Sequence, residues 1–237
     1  NYDPMWRQEA GLGKQRQTGI VQNDDRADWS EAFRLYKGDV VYCWHAGVYA
    51  AVVATSIEQC GFKIYSQIIW SKQRFTLSRG HYHWQHEPCW YAVRNGRSAN
   101  WKGDRKQSTV WEISNLNPIG GDRDGDEADE LTGHGTQKPV ELMRRAIVNH
   151  TDRGDAVYDP FLGSGSVLIA AETTGRICYG LEIDPAYVDV IVERWQKHTG
   201  NQAVLASDGR TFDEIRADRL RAFEIADMAE ANTNGAA

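Results

Sequence analysis

Adjacent prolines are missing from this chain: its 237 residues hold 6 prolines, and none follows another. It has only 4 cysteines (Cys43, Cys60, Cys89 and Cys178), and no pair has CxxC spacing. That removes a thiolate metal knot and a disulfide framework, and suits a reduced, cytoplasmic protein. No apolar run approaches the roughly 18 residues of a membrane span, and no signal-peptide pattern opens the sequence. The hydrophobic share of 41% is ordinary for a globular chain, and this length suits one α/β domain, with or without a small insertion.

What is present centres on Ala156–Ala171. A short apolar run ends in Asp159-Pro160, turns at Gly163-Ser164-Gly165, and continues into a helix carrying Val167, Leu168, Ala170 and Ala171. Strand, glycine turn and helix form the first unit of a nucleotide-cofactor fold, whose ligand lies beyond the strand's carboxyl end. Glycines there let the backbone turn tightly and approach a ligand with no Cβ in the way. A second strand, Ile177 to Glu182, ends in a carboxylate, at a spacing that suits an acid binding ribose hydroxyls.

Here too an absence is informative. Position 168, where a dinucleotide fingerprint places its third glycine, is Leu, and no Lys-Ser or Lys-Thr follows the turn as in a phosphate loop. A cofactor with a ribose but no phosphate fits best, and S-adenosylmethionine is the obvious one. A plain βα turn without a ligand is the alternative for the glycines alone.

Three segments in order, Gly135-Thr-Gln-Lys-Pro-Val-Glu-Leu-Met143, Asp159-Pro-Phe-Leu-Gly-Ser-Gly165 and Gly180-Leu-Glu-Ile-Asp-Pro-Ala-Tyr187, resemble the amino-group DNA methyltransferases. Arg194-Trp195 and Gly200 resemble the family as well. The match is to the permuted class, with the catalytic half before the cofactor half. The resemblance implies an α/β, doubly wound, Rossmann-like methyltransferase sandwich with a mostly parallel sheet and an antiparallel edge strand. It implies that Phe161, Gly163, Ser164 and Gly165 shape the cofactor pocket and that Glu182 takes the ribose. Thr136, Gln137 and Lys138 would line the opposite wall, and Asp159 would orient the methionine ammonium. The implied reaction is methylation of an exocyclic amine in duplex DNA, N6 of adenine being favoured over N4 of cytosine.

Methyl transfer to such an amine needs an acceptor for its hydrogens and an aromatic on which the extruded base stacks. The family supplies both from an acid or amide followed by Pro-Pro and an aromatic, and Pro-Pro is what this sequence lacks. Asp3-Pro4-Met5-Trp6 is the nearest match, making Asp3 and Trp6 the catalytic candidates. A catalytic segment upstream of Asn1 and a cofactor- and DNA-binding module without activity are the alternatives. Methylation of RNA or of a small molecule is a further one. Glu87-Pro-Cys-Trp90, a second partial match, falls inside a strand and reads as structural.

The net charge of −6 is unevenly spread: residues 71–106 carry eight bases against two acids. Phosphate affinity depends on the face presented, so an acidic total does not exclude DNA. Lys72, Arg74, Arg79, His83, Lys102 and Arg105 are the candidate DNA contacts, and a solvated surface is the bland alternative. His81, His83 and His86 do not share one face of a strand, so no metal is expected. Trp44, Trp70 and Trp195 read as core.

Organisation follows: a catalytic half with a DNA-contacting insertion over 1–113, an acidic, glycine-rich linker or target-recognition loop over 114–135, a cofactor half over 136–216 and a tail over 217–237. A calcium loop within 120–127 is disfavoured because the closing glutamate is misplaced. Helices are expected over 31–37, 48–61, 139–150 and from Pro185, with strands over 40–45, 62–70, 87–94, 108–113, 156–158 and 177–182. Duplex DNA is the expected partner, and a homodimer is left open.

Overall fold

Alternating side chains set the first sheet. In the computed structural model, which describes residues 26–76, 81–114 and 137–222, strand β1 (Val40–Trp44) sends Tyr42 and Trp44 to one face and Val41 and Cys43 to the other. Strand β3 (Trp84–Arg94) does the same with Cys89 and Tyr91 against Trp90 and Ala92. This period of two lets one sheet carry an apolar layer on each face.

Between and after these strands lie β2 (Phe62–Thr76) and β4 (Val110–Glu112). The sheet order is β1-β3-β2-β4, with β1 and β2 antiparallel to β3 and β4 parallel to β2. The reversed strand is therefore internal, where an antiparallel edge strand was expected. The cause is the β2–β3 hairpin: a short connection places the returning strand directly beside its predecessor, and β1 pairs with the side left open. β5 (Ala156–Asp159) and β6 (Ile177–Gly180) form a second, parallel pair. Among the described residues the sheets are mixed, not mostly parallel.

Helices cover both faces. On one side α1 (Ser30–Leu35) and α2 (Ala50–Gln59) bring Phe33, Val53 and Ile57 onto Val41, Phe62 and Ala92. On the other, α3 (Val140–Val148) and α4 (Ser166–Thr174) bring Leu142, Ile147, Ile169 and Ala170 onto Ile68, Trp70, Cys89 and Trp111. α5 (Pro185–Thr199) follows β6, and a last helical segment spans 212–222. α2 ends before Gly61, whose φ of +86° supplies the left-handed turn that stops a helix. Trp44, Trp70 and Trp195 all pack on the larger core, and buried Trp70 donates its indole N–H to the Ile113 carbonyl at 2.8 Å. No described helix is long and apolar enough to cross a membrane.

The loop after β3 is pinned beneath α3 by His150. Its Nδ1 lies 2.6 Å from the Ala99 carbonyl, which can only accept, so Nδ1 carries the proton. Nε2 then accepts from the Tyr42 hydroxyl at 2.8 Å, while Tyr91 stacks on the ring and Trp101 meets it edge-on. Burial lowers the His150 pKa, outweighing the carbonyl bond that raises it. A neutral, buried histidine stabilises the fold above the unfolded value near 6.5, and that stability is lost as pH falls toward the lower folded value. Thermal melts from pH 7.5 to 5.5 (chosen to span roughly that value) are expected to show a falling Tm that flattens in His150→Gln. An equal slope in both proteins would contradict this.

Candidate cofactor site

β5 and β6 run parallel, so both carboxyl ends open on the same side, Asp159 facing Gly180. Backbone bonds continue the ladder past the strands: Leu181 N–H reaches the Asp159 carbonyl and Leu162 N–H reaches the Leu181 carbonyl, each at 2.9 Å. This folds the Phe161–Gly165 turn over the end of β6. Gly163 and Gly165 adopt φ of +55° and +80°, and Gly165 caps α4 from the left-handed region. A Cβ on Gly165 would lie 3.2 Å from the Ile191 side chain, so the position is restricted both by conformation and by space.

Glu182 fastens the turn. One carboxylate oxygen accepts from Gly163 N–H at 2.7 Å and the other from Asp184 N–H at 3.0 Å. Asp184 in turn caps α5 by accepting from Ala186 N–H. The carboxylate is thus held in one orientation at the ligand end of β6, with two oxygens that can still accept from neighbouring hydroxyls.

A second set of bonds draws in the segment before α3. Ser166 Oγ donates to the Lys138 carbonyl at 2.6 Å. The same Oγ accepts from Arg194 Nη1 at 3.3 Å, and this nitrogen also donates to the Ser164 carbonyl at 2.9 Å. Arg194 comes from α5 and is buried. Three segments far apart in sequence meet on one arginine and one serine. Ser164, expected among the residues that shape the cofactor pocket, is buried, with its hydroxyl turned toward Ser166.

Asp159 and Phe161 complete the rim. Asp159 accepts from Phe161 N–H at 2.9 Å. Burial raises the Asp159 pKa, and the Glu182 carboxylate adds to this, against the lowering effects of the Phe161 N–H and Lys138. Phe161 is half exposed and meets Trp29 edge-on at 4.5 Å, and Arg26 lies over the Trp29 ring at 4.2 Å. The structure therefore brings Lys138, Asp159, Phe161, Gly163, Gly165 and Glu182 together at one end of β5 and β6. Gln137 is half-buried beside Lys138. Trp29, Ser166 and Arg194 were not expected at the site. Only Arg194 had a signal, its place in the resemblance.

The proposed DNA contacts divide. Lys72 lies 2.7 Å from Glu87, whose other oxygen is 3.5 Å from Lys138, so it sits beside the cofactor wall. His83 stacks on Phe75 at the exposed end of the β2–β3 hairpin, and Trp84 lies against Gly47 just past β1. Lys102 is instead held by Asp152 and by the Asn149 carbonyl at the far end of α3 from Lys138. Arg105, exposed, shares that loop. Asp3, Trp6, Arg79 and Thr136 lie outside the described residues, as do the side chain of Arg74 and most of the 114–135 loop.

A family model described as DNA methylase matches residues 26–193. The chain belongs to this DNA methylase family. It is 28% identical over 172 residues to the type II methyltransferase M.Cfr9I of Citrobacter freundii, covering 65% of this chain and 52% of that relative. With M2.DpnII of Streptococcus pneumoniae the identity is 27% over 157 residues, covering 60% and 54%. The chain thus spans about half the length of these curated relatives. Among solved structures it resembles M1.HpyAVI in complex with S-adenosylmethionine, with a TM-score of 0.57 at 21% identity over 70% of this chain and 82% of that one. The cytosine-N4-specific PvuII DNA methyltransferase gives 0.52 at 18% identity, covering 68% and 67%. These likenesses establish a Rossmann-like methyltransferase fold.

Two substitutions probe the wiring of this DNA methylase turn. Arg194→Met leaves the buried Ser164 carbonyl without its donor and is expected to cost about 1–3 kcal/mol. Gly165→Ala forces a side chain into the left-handed region and is expected to cost about 1–3 kcal/mol. Urea unfolding measures both, and wild-type stability in either variant would contradict the assigned contacts.

Proposed function

We propose that this chain binds S-adenosylmethionine at the glycine turn and moves its methyl group to an exocyclic amine of duplex DNA. N6 of adenine is favoured, and N4 of cytosine is the second reading. The observation that carries the proposal is the Glu182 carboxylate fixed against Gly163 N–H at the common carboxyl end of β5 and β6. Family membership supports the reaction class. An enzyme in the cytoplasm, with DNA as partner and with a homodimer left open, belongs to the same reading.

The residues fit this cofactor by charge. Glu182 accepts from ribose hydroxyls, Asp159 faces an ammonium, and Lys138 faces a carboxylate. Phe161 with Trp29 forms an apolar rim. The bound cofactor supplies an activated methyl group on a sulfonium. Asp3 and Trp6 are this chain's own candidates for accepting the amine hydrogens and stacking the extruded base, and a segment upstream of Asn1 is the alternative. On the DNA side the proposal keeps Lys72, Arg74, Arg79 and His83. Lys102 and Arg105 stay in it as contacts from a loop distant from the cofactor wall.

Calorimetric titration followed by tritiated methyl transfer to unmethylated duplex DNA tests the proposal. Glu182→Ala is expected to weaken cofactor binding by about 1.5–3 kcal/mol, the range for a hydrogen bond to a charged group. Full-strength binding by that variant would count against the ribose role. Transfer by this chain would assign catalysis to Asp3 and Trp6, whereas binding without transfer would place the catalytic segment outside it.

The raised pKa of Asp159 gives a pH dependence. An ionised Asp159 is needed to hold an ammonium, so affinity is expected to fall as pH drops toward that raised value. Asp159→Asn is expected to bind more weakly and to lose this dependence. The same titration at stepped pH reads it, and identical profiles would contradict the assignment.

A further inference from the structure

Glu87 was read from the sequence as a structural strand residue, yet it is the carboxylate that joins the cofactor wall to the β2–β3 hairpin. It lies on β3 opposite Trp70 of β2. One oxygen is 2.7 Å from Lys72 Nζ and the other 3.5 Å from Lys138 Nζ. Lys72 also rests over the Trp70 ring at 4.9 Å. Glu87 precedes Pro88, which confines its backbone to extended conformations, and the Pro88 carbonyl is tied to His45 N–H at 3.1 Å. The carboxylate is thus carried by a rigid strand, while each lysine reaches it on a flexible stem. In this pair the glutamate fixes the lysine, not the reverse. Burial alone would raise the Glu87 pKa, but the charges of Lys138 and Lys72 outweigh it and hold the group ionised.

Lys138 is the shared element. Its carbonyl is bonded to Ser166 in the glycine-turn helix, and its ammonium acts electrostatically on both Glu87 and Asp159. Resting on the cofactor assignment above, we propose that Glu87 is a positioning residue that aims Lys138 at the carboxylate of the cofactor's amino-acid end. Lys72 of β2 is the second cation that Glu87 holds. Removal of the Glu87 charge releases Lys138 without touching the ribose end, where Glu182 acts.

The test separates the two ends of the ligand. S-adenosylhomocysteine carries the amino-acid end, and methylthioadenosine lacks it while keeping adenosine and sulfur. Calorimetric affinities of both are measured for the whole chain, for Glu87→Gln and for Glu87→Asp. The expected result is about a tenfold loss for S-adenosylhomocysteine in Glu87→Gln, equivalent to roughly 1.4 kcal/mol. Methylthioadenosine affinity is expected to stay unchanged, and Glu87→Asp to recover part of the loss. A mere loss of rigidity would weaken both ligands alike, and that outcome overturns the proposal, as does no loss for either. Should Glu87→Gln fail to fold, Lys138→Gln carried through the same ligand pair must show the same split, and an equal loss overturns the proposal. Failure of the wild-type chain to bind either ligand would instead bring down the cofactor assignment on which this inference rests.

Discussion

The Glu182 carboxylate accepts from Gly163 N–H and Asp184 N–H, and the shape of the ligand end depends on that pair of bonds. Backbone amides in a turn without repeating structure have no automatic partners, and a buried amide without one is costly. Here a side chain from the next strand supplies the acceptor. The turn is thereby closed onto β6, Gly165 can cap α4 in a left-handed conformation, and α5 starts from the capped Asp184. A charge on the acceptor roughly doubles the strength of such a bond relative to a neutral one. The same carboxylate that organises the turn is the one proposed to take a ribose.

Behind this bond lies a supporting layer. Arg194 and Ser166 join α5, the turn and the segment before α3, so a shift in one is felt by the other two. On the far side Glu87 places a fixed negative charge between Lys138 and Lys72. A single cation, Lys138, set between the carboxylates of Glu87 and Asp159, suits a ligand that carries both an ammonium and a carboxylate at one end. Each of these charges sits on or beside a regular element, which is what keeps the rim in one arrangement.

Much of the cofactor half was legible because local chemistry decides it. Glycines at 163 and 165, an apolar strand before them and a carboxylate after the next strand form a pattern whose geometry follows from short-range backbone rules. The helix starts at Pro139 and Pro185 were legible for the same reason. Residues that act across long sequence gaps were not legible: Ser166 bonds a carbonyl 28 positions away, and Trp29 meets Phe161 from the other half of the chain. Nothing local in Ser166 or Trp29 announces such a partner. The internal place of β3 was missed for a related reason, since strand order is set by which edge remains open after the hairpin forms. Proximity within the basic stretch does not translate into proximity in space: Lys72 and Lys102 lie at opposite ends of α3.

If the cofactor lies in the turn held by Glu182, that turn must change its exposure when ligand binds. Amide hydrogen exchange on the intact chain, with and without saturating S-adenosylhomocysteine, tests it most directly. Exchange is expected to slow in residues 137–140, 159–166 and 181–184, with the core strands unaffected. Unchanged exchange in the glycine turn under saturating ligand, or protection confined to another part of the molecule, would contradict it.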